Sequence, residues 1–215
     1  MTFSILTFDP KYKTFSGASV TGNICVGAWV LKADSRVGIS ASQGSEPSTI
    51  WGEDVLELIN TGVTAKKAVD IISYQDPKRN FRQLSAIDNS GNPGIFNGNL
   101  NELIIDYHVE KNIVISGNTL QNKNVIPAML AGFKNEEGNT SRKLIKALEK
   151  GHEAGGDTRG INSAAILVVG NSRTPLDLRV DDSKNPIKEL NNLYNKTCDQ
   201  HYSQWMKRLP TRSNL

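Results

Sequence analysis

The first 42 residues alternate short apolar runs with pairs of residues that favour turns. Strands are predicted at 3–8, 15–20, 24–30 and 37–42, with turns at Asp9-Pro10, Gly22-Asn23 and Asp34-Ser35. Apolar residues then recur at helical spacing over 51–59 and 64–72. The pattern therefore predicts four strands followed by two helices.

The second part of the chain repeats this order with weaker strand signals. Strands are predicted at 81–88, 94–96, 103–109 and 113–116, and helices at 125–133 and from a cap at Thr140 or Ser141 to a stop at Gly155-Gly156. The most continuous apolar run, 161–169, suits a strand that is buried on both faces, and 176–180 is a shorter companion. A last helix is predicted from 187 to about 207, before Pro210.

Strands and helices are thus predicted in segregated groups rather than in strict alternation. This order indicates an α+β protein in which two stacked, mainly antiparallel sheets carry pairs of helices on their outer faces. It argues against a doubly wound sheet, which needs alternating elements and a glycine-rich turn after the first strand. Residues 1–182 are predicted to form one domain. Residues 183–215 would add a C-terminal helix and tail that belongs to this domain or docks on a second subunit.

Composition excludes several classes of protein. Apolar residues make up 38% of the 215 residues and charged residues 22%, which is typical of a folded chain rather than a disordered one. No apolar run approaches the ~20 residues of a membrane-spanning helix, and the N-terminus lacks the pattern of a signal peptide. We therefore expect no membrane partner and a cytoplasmic location. The 25 basic and 22 acidic residues are scattered, which predicts no nucleic-acid partner.

Residues that hold metals and cofactors are few. Two cysteines, Cys25 and Cys198, and three histidines show no spacing of a structural zinc site, and no phosphate-binding glycine-rich loop is present. We therefore predict no metal and no cofactor. Cys25, inside the predicted strand 24–30, is interpreted as a small packed thiol rather than as a nucleophile.

Thr2 offers catalytic chemistry of a different kind. Removal of Met1 would leave Thr2 with both a hydroxyl and a free α-amine. An α-amine titrates near ~7.7–8.0, so a neutral fraction can accept the hydroxyl proton while the oxygen attacks an amide carbonyl. The alternative interpretation is that Thr2 is merely a favourable second residue before a strand.

A polar cluster lies between a helix end and the start of the buried strand 161–169. It contains Asp157, Arg159, Asn162 and Ser163, and buried polar groups of this kind need partners. In one interpretation Arg159 binds a carboxylate-like group and Asp157 orients it; in the other, the two residues form an internal ion pair that fixes the loop. A second cluster, Arg179 with Asp181 and Asp182, is interpreted as structural rather than as a metal site, because adjacent strand residues point to opposite faces.

Several segments resemble a known family. They are 1–5, 38–43, 117–120, 155–160 and 178–182, of which Gly155-Gly156-Asp157-Thr158-Arg159-Gly160, followed by Ser163-Ala164-Ala165, is the most specific. On these residues the chain, from about Thr2 to Leu193, resembles the family catalogued as domain of unknown function 1028. The resemblance implies a four-layer αββα sandwich like that of N-terminal-nucleophile (Ntn) hydrolases, in a family without an established activity. Threonine enzymes of that superfamily also tend to use a lysine near the nucleophile, and 24–30 contains none.

Three hypotheses from different classes follow. The first is an amide-bond hydrolase for a small peptide-like or acylated amino-acid substrate, with Thr2 as nucleophile and Arg159 with Asp157 as substrate-positioning groups. Its hydrogen bonds and oxyanion site would come from Gln43, Asn118, Asn162 and Ser163. The second is a non-catalytic domain that binds a small anionic metabolite through Arg159. The third is an assembly module whose C-terminal helix builds a homodimer.

Overall fold

The computed structural model describes residues 2–101 and 104–214, and this part of the chain contains ten strands and seven α-helices. The strands are β1 (Thr2–Asp9), β2 (Thr14–Thr21), β3 (Leu31–Asp34), β4 (Gly38–Gly44), β5 (Arg82–Asp88), β6 (Pro93–Asn97), β7 (Ile104–Glu110), β8 (Ile113–Leu120), β9 (Ser163–Gly170) and β10 (Arg173–Val180). The helices are α1 (Val26–Trp29), α2 (Trp51–Asn60), α3 (Ala65–Gln75), α4 (Val125–Asn135), α5 (Thr140–Glu153), α6 (Pro186–Thr197) and α7 (Gln200–Met206). A predicted strand position, Leu103, lies outside the described residues.

The strands form two antiparallel sheets. One has six strands in the order β10-β9-β2-β1-β8-β7, and the other has four in the order β3-β4-β5-β6. Helices α4 and α5 contact the six-stranded sheet, α2 and α3 contact the four-stranded sheet, and β1 contacts both β4 and β5. The predicted α+β class with two antiparallel sheets is therefore confirmed.

The two faces of strand β1 pack against different parts of the structure. Phe3 and Ile5 belong to a core cluster with residues of α4 and α5, whereas Leu6 and Phe8 belong to a cluster with residues of the four-stranded sheet. Side chains alternate between the two faces of a strand, so Thr2 and Ser4 share the face of Leu6 and Phe8. The space between the two sheets is therefore lined by even-numbered residues of β1.

The predicted strand over 24–30 is wrong, because this segment forms a loop and the short helix α1. Cys25 precedes α1 with φ 61°, a left-handed conformation that interrupts an extended strand. The amide of Val26 donates to Ser163 Oγ at 3.0 Å, and a side chain on Gly27 would collide with Ala165 of β9. Contacts with β9, rather than local preference, thus decide the conformation. Cys25 is a half-buried free thiol in this loop and not a core residue of a strand.

The predicted last helix is two helices, α6 and α7. The break falls at Cys198–Asp199, where the carboxylate of Asp199 accepts hydrogen bonds from the amides of His201 and Tyr202 and so caps α7. On α6, Ile187, Leu190 and Tyr194 belong to the same core cluster as Phe3. The first half of segment 183–215 thus packs on the body of the chain, while docking of this segment on a second subunit stays a prediction.

Candidate functional site

Four polar residues form a row across one end of the six-stranded sheet. Thr2 lies opposite Thr21 on one side and opposite Asn118 on the other, and Thr21 in turn lies opposite Ser163. The row exists because β2 ends, and β9 begins, where β1 begins. Three of the predicted site residues, Thr2, Asn118 and Ser163, are brought together by this register.

The backbone and side chain of Thr2 are held by three hydrogen bonds. Its amide nitrogen donates to Asn118 Oδ1 at 2.9 Å, and its hydroxyl donates to Thr21 Oγ1 at 3.1 Å. Its carbonyl oxygen accepts from Gln43 Nε2 at 3.2 Å. Thr2 is 8% exposed and Asn118 is fully buried. The hydroxyl and the nitrogen of Thr2 are therefore fixed in place at the edge of the interior.

Strain and an unpartnered donor occur side by side next to Thr2. Thr119 has φ 55°, which is unusual for a β-branched residue and costs about 1–3 kcal/mol. The neighbouring Asn118 side chain donates no hydrogen bond from Nδ2 to any partner in 2–101 or 104–214, although that atom is buried. A buried donor of this kind also costs about 1–3 kcal/mol. Such costs are tolerated most often where a ligand or substrate is bound.

Gln43 lies between the two sheets, and its role in binding a substrate stays a prediction. It lies on β4 in the other sheet, and its Oε1 accepts from Ser4 Oγ at 2.5 Å. Its Nε2 donates to Gln83 Oε1 at 2.6 Å, and Gln83 Nε2 donates onward to Asn97 Oδ1 at 2.5 Å. These side chains join the two sheets below Thr2. Ser4, Gln83 and Asn97 were not among the predicted site residues; Ser4 and Gln83 are polar positions on predicted strands, and Asn97 directly follows one.

The loop before β9 is organised around the Asp157 carboxylate. The Asp157 side chain is fully buried and accepts from the amides of Gly22 and Arg159, both at 2.8 Å. It also forms an ion pair with the Arg159 guanidinium at 3.1 Å. A side chain at Gly22 would lie 2.7 Å from Asp157 Oδ2, so the close approach requires glycine. The loop itself turns at Gly160, with φ 82°.

Arg159 lies at the outer rim of this end of the sheet. Its side chain is 43% exposed, and it also donates to Asn23 Oδ1 at 3.2 Å. The internal ion pair of the second interpretation is therefore present. A role of the same guanidinium in binding a substrate stays a prediction.

Asn162 and Ser163 hold the loop that leads to α1. Asn162 Nδ2 donates to the carbonyl of Gly22 at 2.8 Å, and Ser163 Oγ donates to the carbonyl of Asn23 at 2.7 Å. Ser163 Oγ also accepts from the amide of Val26 at 3.0 Å. Both predicted residues thus lie at the Thr2 end, and both use their side chains to position 22–26.

Two other ion pairs are present. Arg179 pairs with Asp181 at 3.1 Å at the same end of the six-stranded sheet as Ser163, since Arg179 lies opposite Ala165 of β9. Lys32 pairs with Glu53 at 2.8 Å on the four-stranded sheet. Over the described ranges, no three histidine, cysteine, aspartate or glutamate side chains are grouped so that they could hold a metal ion. No helix in those ranges is long and apolar enough to cross a membrane.

Comparison with known proteins shows to which family the chain belongs. The model of a family of unknown function, DUF1028, matches residues 2–190. The chain belongs to the DUF1028 family. A crystal structure of protein SPO2555 from Silicibacter pomeroyi, also described as DUF1028, is similar to this chain at 39% identity with a TM-score of 0.94, and the similarity covers 99% of this chain and 96% of the other. No curated protein matches the sequence. The chain thus shares its fold with another DUF1028 protein, and its activity must be argued from the site.

Proposed function

We propose that this chain is an amide-bond hydrolase of the N-terminal-nucleophile type that acts on a small peptide-like or acylated amino-acid substrate. The observation that carries the proposal is the hydrogen bond from the Thr2 nitrogen to Asn118 Oδ1, beside the unpartnered Asn118 Nδ2. A carbonyl group that reaches Thr2 would meet a nucleophile, a base and a donor in one row of residues. Met1, whose removal the proposal requires, lies outside the described residues.

The reaction uses only groups of the chain and water. Thr2 Oγ1 bonds to the substrate carbonyl carbon while its proton passes to the α-amine freed by removal of Met1. The C–N bond then breaks, the departing amine takes that proton, and an ester joins the acyl group to Thr2. Water loses a proton to the same α-amine and attacks the ester. As the C–O bond to Thr2 breaks, the α-amine returns that proton to Thr2 Oγ1 and the carboxylic acid is released.

Asn118 is the better candidate than Gln43 for stabilising the oxyanion. Gln43 Nε2 carries two hydrogens and already lies within hydrogen-bond distance of Thr2 O, Gln83 Oε1 and Ser116 O. Asn118 Nδ2 has both hydrogens available within the described chain. Donors placed where charge develops are often the largest single contribution to catalysis. The role assigned to Gln43 is therefore to join the sheets, and that of Asn118 is to contact the reacting carbonyl.

The layer order supports the Ntn-like arrangement as part of the proposal. Helices α2 and α3 lie on the four-stranded sheet, α4 and α5 lie on the six-stranded sheet, and the sheets contact each other. We interpret this as a four-layer αββα sandwich. In such a sandwich Thr2 begins a central strand, and the exposed face of Arg159 at the rim would receive the substrate carboxylate.

The first test combines intact-mass analysis with turnover assays on a panel of N-acyl amino acids and dipeptides. We expect the purified chain to lack Met1, Thr2→Ala to abolish turnover without unfolding, and Thr2→Ser to retain measurable turnover because it keeps the hydroxyl. A slowly hydrolysed substrate should leave an acyl group on Thr2 that is visible by mass spectrometry. Retention of Met1, or full turnover by Thr2→Ala, contradicts the proposal.

The second test asks whether the Asn118 side chain contributes to catalysis. Asn118→Ala should lower kcat by about 10²–10³-fold with a small change in KM, because the lost donor acts on the transition state. Asn60→Ala, an exposed asparagine at the end of α2, is the matched control and should leave kcat unchanged. Equal kcat values for the two variants would remove Asn118 from the mechanism.

The two other hypotheses make different predictions. If the domain only binds an anionic metabolite, Arg159→Ala should abolish binding while Thr2→Ala has no effect. If the C-terminal segment builds a homodimer, removal of residues after Thr197 should halve the mass in solution. Truncation before Ile187 is not suitable for that test, because it would remove Leu190 and Tyr194 from the core. The cytoplasmic location also stays a prediction.

A further inference from the structure

A large cleft lies at the end of the six-stranded sheet that is opposite to Thr2. Its volume is about 1320 Å³, and it is bounded by the β1–β2 turn, the β9–β10 turn, the start of α5, and α6 with α7. Thr2 and Asp9 are the two ends of β1, seven residues apart. At ~3.3 Å per residue the cleft is therefore about 23 Å from Thr2. The proposed hydrolase reaction makes no use of it.

The cleft is lined by an excess of positive charge. Five cationic side chains line it, against one carboxylate; the cations are Lys11, Lys13, Lys111, Lys143 and Arg173, and the carboxylate is Asp9. Asp9 Oδ1 already accepts from the amides of Lys11 and Tyr12, at 2.9 and 3.1 Å. Throughout the described chain, none of the five cations has a carboxylate oxygen within 4 Å, whereas Lys66, Lys134, Lys146 and Lys150 on the helices do. The positive charge in the cleft is thus left uncompensated.

Local structure keeps two of these cations near the cleft. The Lys11 ammonium lies 5.0 Å from the Tyr12 ring centre, and the Lys143 ammonium lies 6.0 Å from that of Phe133. Such cation–π contacts restrict flexible lysine side chains without neutralising them. Arg173, an exposed residue at the start of β10, donates from Nε to the carbonyl oxygen of Thr174 at 3.4 Å.

The start of α5 adds a further positive contribution. Asn139 caps this 14-residue helix by accepting from the amide of Arg142 at 3.1 Å, and Thr140 and Ser141 line the cleft. The positive end of the helix dipole therefore lies at the cleft wall. Asn139 also donates to the Tyr194 hydroxyl at 2.7 Å, which links α5 to α6 at the same wall.

We propose that this cationic cleft is a second site, which binds a small polyanion with two or more negatively charged oxygens, such as a phosphorylated or polycarboxylated metabolite. The volume exceeds what such a ligand fills, since small-molecule sites usually measure about 300–1,000 Å³. Charge decides the class of ligand: five uncompensated cations and a helix start favour at least two negative charges over one.

The test uses isothermal titration calorimetry on the full chain with pyrophosphate, citrate and acetate as probes. We expect saturable binding of pyrophosphate or citrate and none of acetate at the same concentration. The stronger of the two polyanions distinguishes a phosphate ligand from a carboxylate ligand. Absence of saturable binding of both polyanions up to about 10 mM overturns the proposal.

A matched pair of variants locates the binding. The triple variant Lys13→Gln, Lys111→Gln, Arg173→Gln should bind about tenfold or more weakly, because it removes charge-assisted hydrogen bonds. The control Lys66→Gln, Lys123→Gln, Lys188→Gln removes the same charge from exposed positions elsewhere and should bind like the unmodified chain. Equal weakening in both triple variants would show nonspecific attraction and contradict the site.

Two further measurements keep the result independent of folding and of the hydrolase proposal. Circular dichroism verifies that the cleft variant folds; if it does not, the exposed single change Lys13→Gln should still weaken binding severalfold, and no weakening contradicts the site. Thr2→Ala should bind the polyanion as the unmodified chain does. Loss of binding in Thr2→Ala would place the polyanion at the Thr2 end and overturn this proposal.

Discussion

The space between the two sheets has two ends that are built in opposite ways. Toward the β1–β2 turn it is filled by apolar side chains, namely Leu6, Phe8, Phe15, Ile39 and Ile87. Toward Thr2 the same strands contribute hydroxyl and amide side chains, namely Ser4, Ser19, Gln43 and Gln83. The lining changes from apolar to polar over a short distance. On β4 the change lies between Ile39 and Gln43, and on the paired strand β5 it lies between Ile87 and Gln83.

The comparison shows what each end contributes. The apolar end gains stability from burial without any requirement for matched donors and acceptors. The polar end must satisfy each buried group, and it leaves Ser85 Oγ, Ser116 Oγ and Asn118 Nδ2 without partners in the described chain. A core that accepts this cost near Thr2 is typical of a protein that trades stability for a site. Stability and chemistry should therefore be separable by substitution.

The largest effect on stability is expected at the apolar end. Phe15 is 1% exposed and stacks on Phe8 with ring centres 4.7 Å apart, so Phe15→Ala should lower the free energy of unfolding by about 3–5 kcal/mol. Urea denaturation measures this loss. Phe15→Leu, which keeps most of the apolar volume, is the control and should lose less. A loss below about 1 kcal/mol for Phe15→Ala would contradict the conclusion that the apolar end supplies stability through burial.

A smaller effect is expected in the network between the sheets. Gln43→Ala removes one of the hydrogen bonds of Ser4 Oγ and leaves Gln83 Oε1 without the donor Gln43 Nε2, and should cost about 1–3 kcal/mol. A double-mutant cycle with Gln83→Ala should show coupling of about 0.5–3 kcal/mol, because the two amides contact each other directly. The exposed Gln121→Ala is the matched control, with little change expected. Strict additivity at 43 and 83 would show that the network does not act as a unit.

The smallest effects are expected at two buried serines of the polar end, and they should differ in sign. Ser19→Ala should cost about 1 kcal/mol, since Ser19 Oγ shares a 2.9 Å hydrogen bond with Ser4 Oγ. Ser85→Ala removes a buried hydroxyl without a partner in the described residues and should be neutral or stabilising by up to about 1 kcal/mol. Thermal unfolding of both variants measures the difference. Destabilisation by Ser85→Ala would reveal an ordered water or ligand at that hydroxyl.

Most elements of the fold could be predicted from local pattern. Strands β1 and β2 alternate apolar and polar residues between clear turns, and helices α2 to α5 carry one apolar face each. Segment 24–30 could not be predicted, because Val26 is fixed by Ser163, which is 137 residues away in the chain. The break between α6 and α7 depends on a single capping carboxylate at Asp199. Distant contacts and single caps leave no periodic signal in the sequence.

The candidate site could be predicted in part for the same reason. Asp157 and Arg159 are two positions apart, so their ion pair follows from local sequence. Thr21 was missed because its place beside Thr2 depends on the register of a strand pair. Gln83 was missed because its contact with Gln43 depends on how two separate sheets stack. Resemblance to a family identified Asn118, but only the structure places its amide against the Thr2 nitrogen.

The links between the sheets at Ser4, Gln43, Gln83 and Asn97 are all electrically neutral. Serine, glutamine and asparagine gain or lose no proton over the range in which proteins stay folded. The support beneath Thr2 is therefore insensitive to acidity and to ionic strength, which act on charges. A change of turnover with pH would then report the proton affinity of the terminal amine and of the charged rim, and not a loosening of the scaffold.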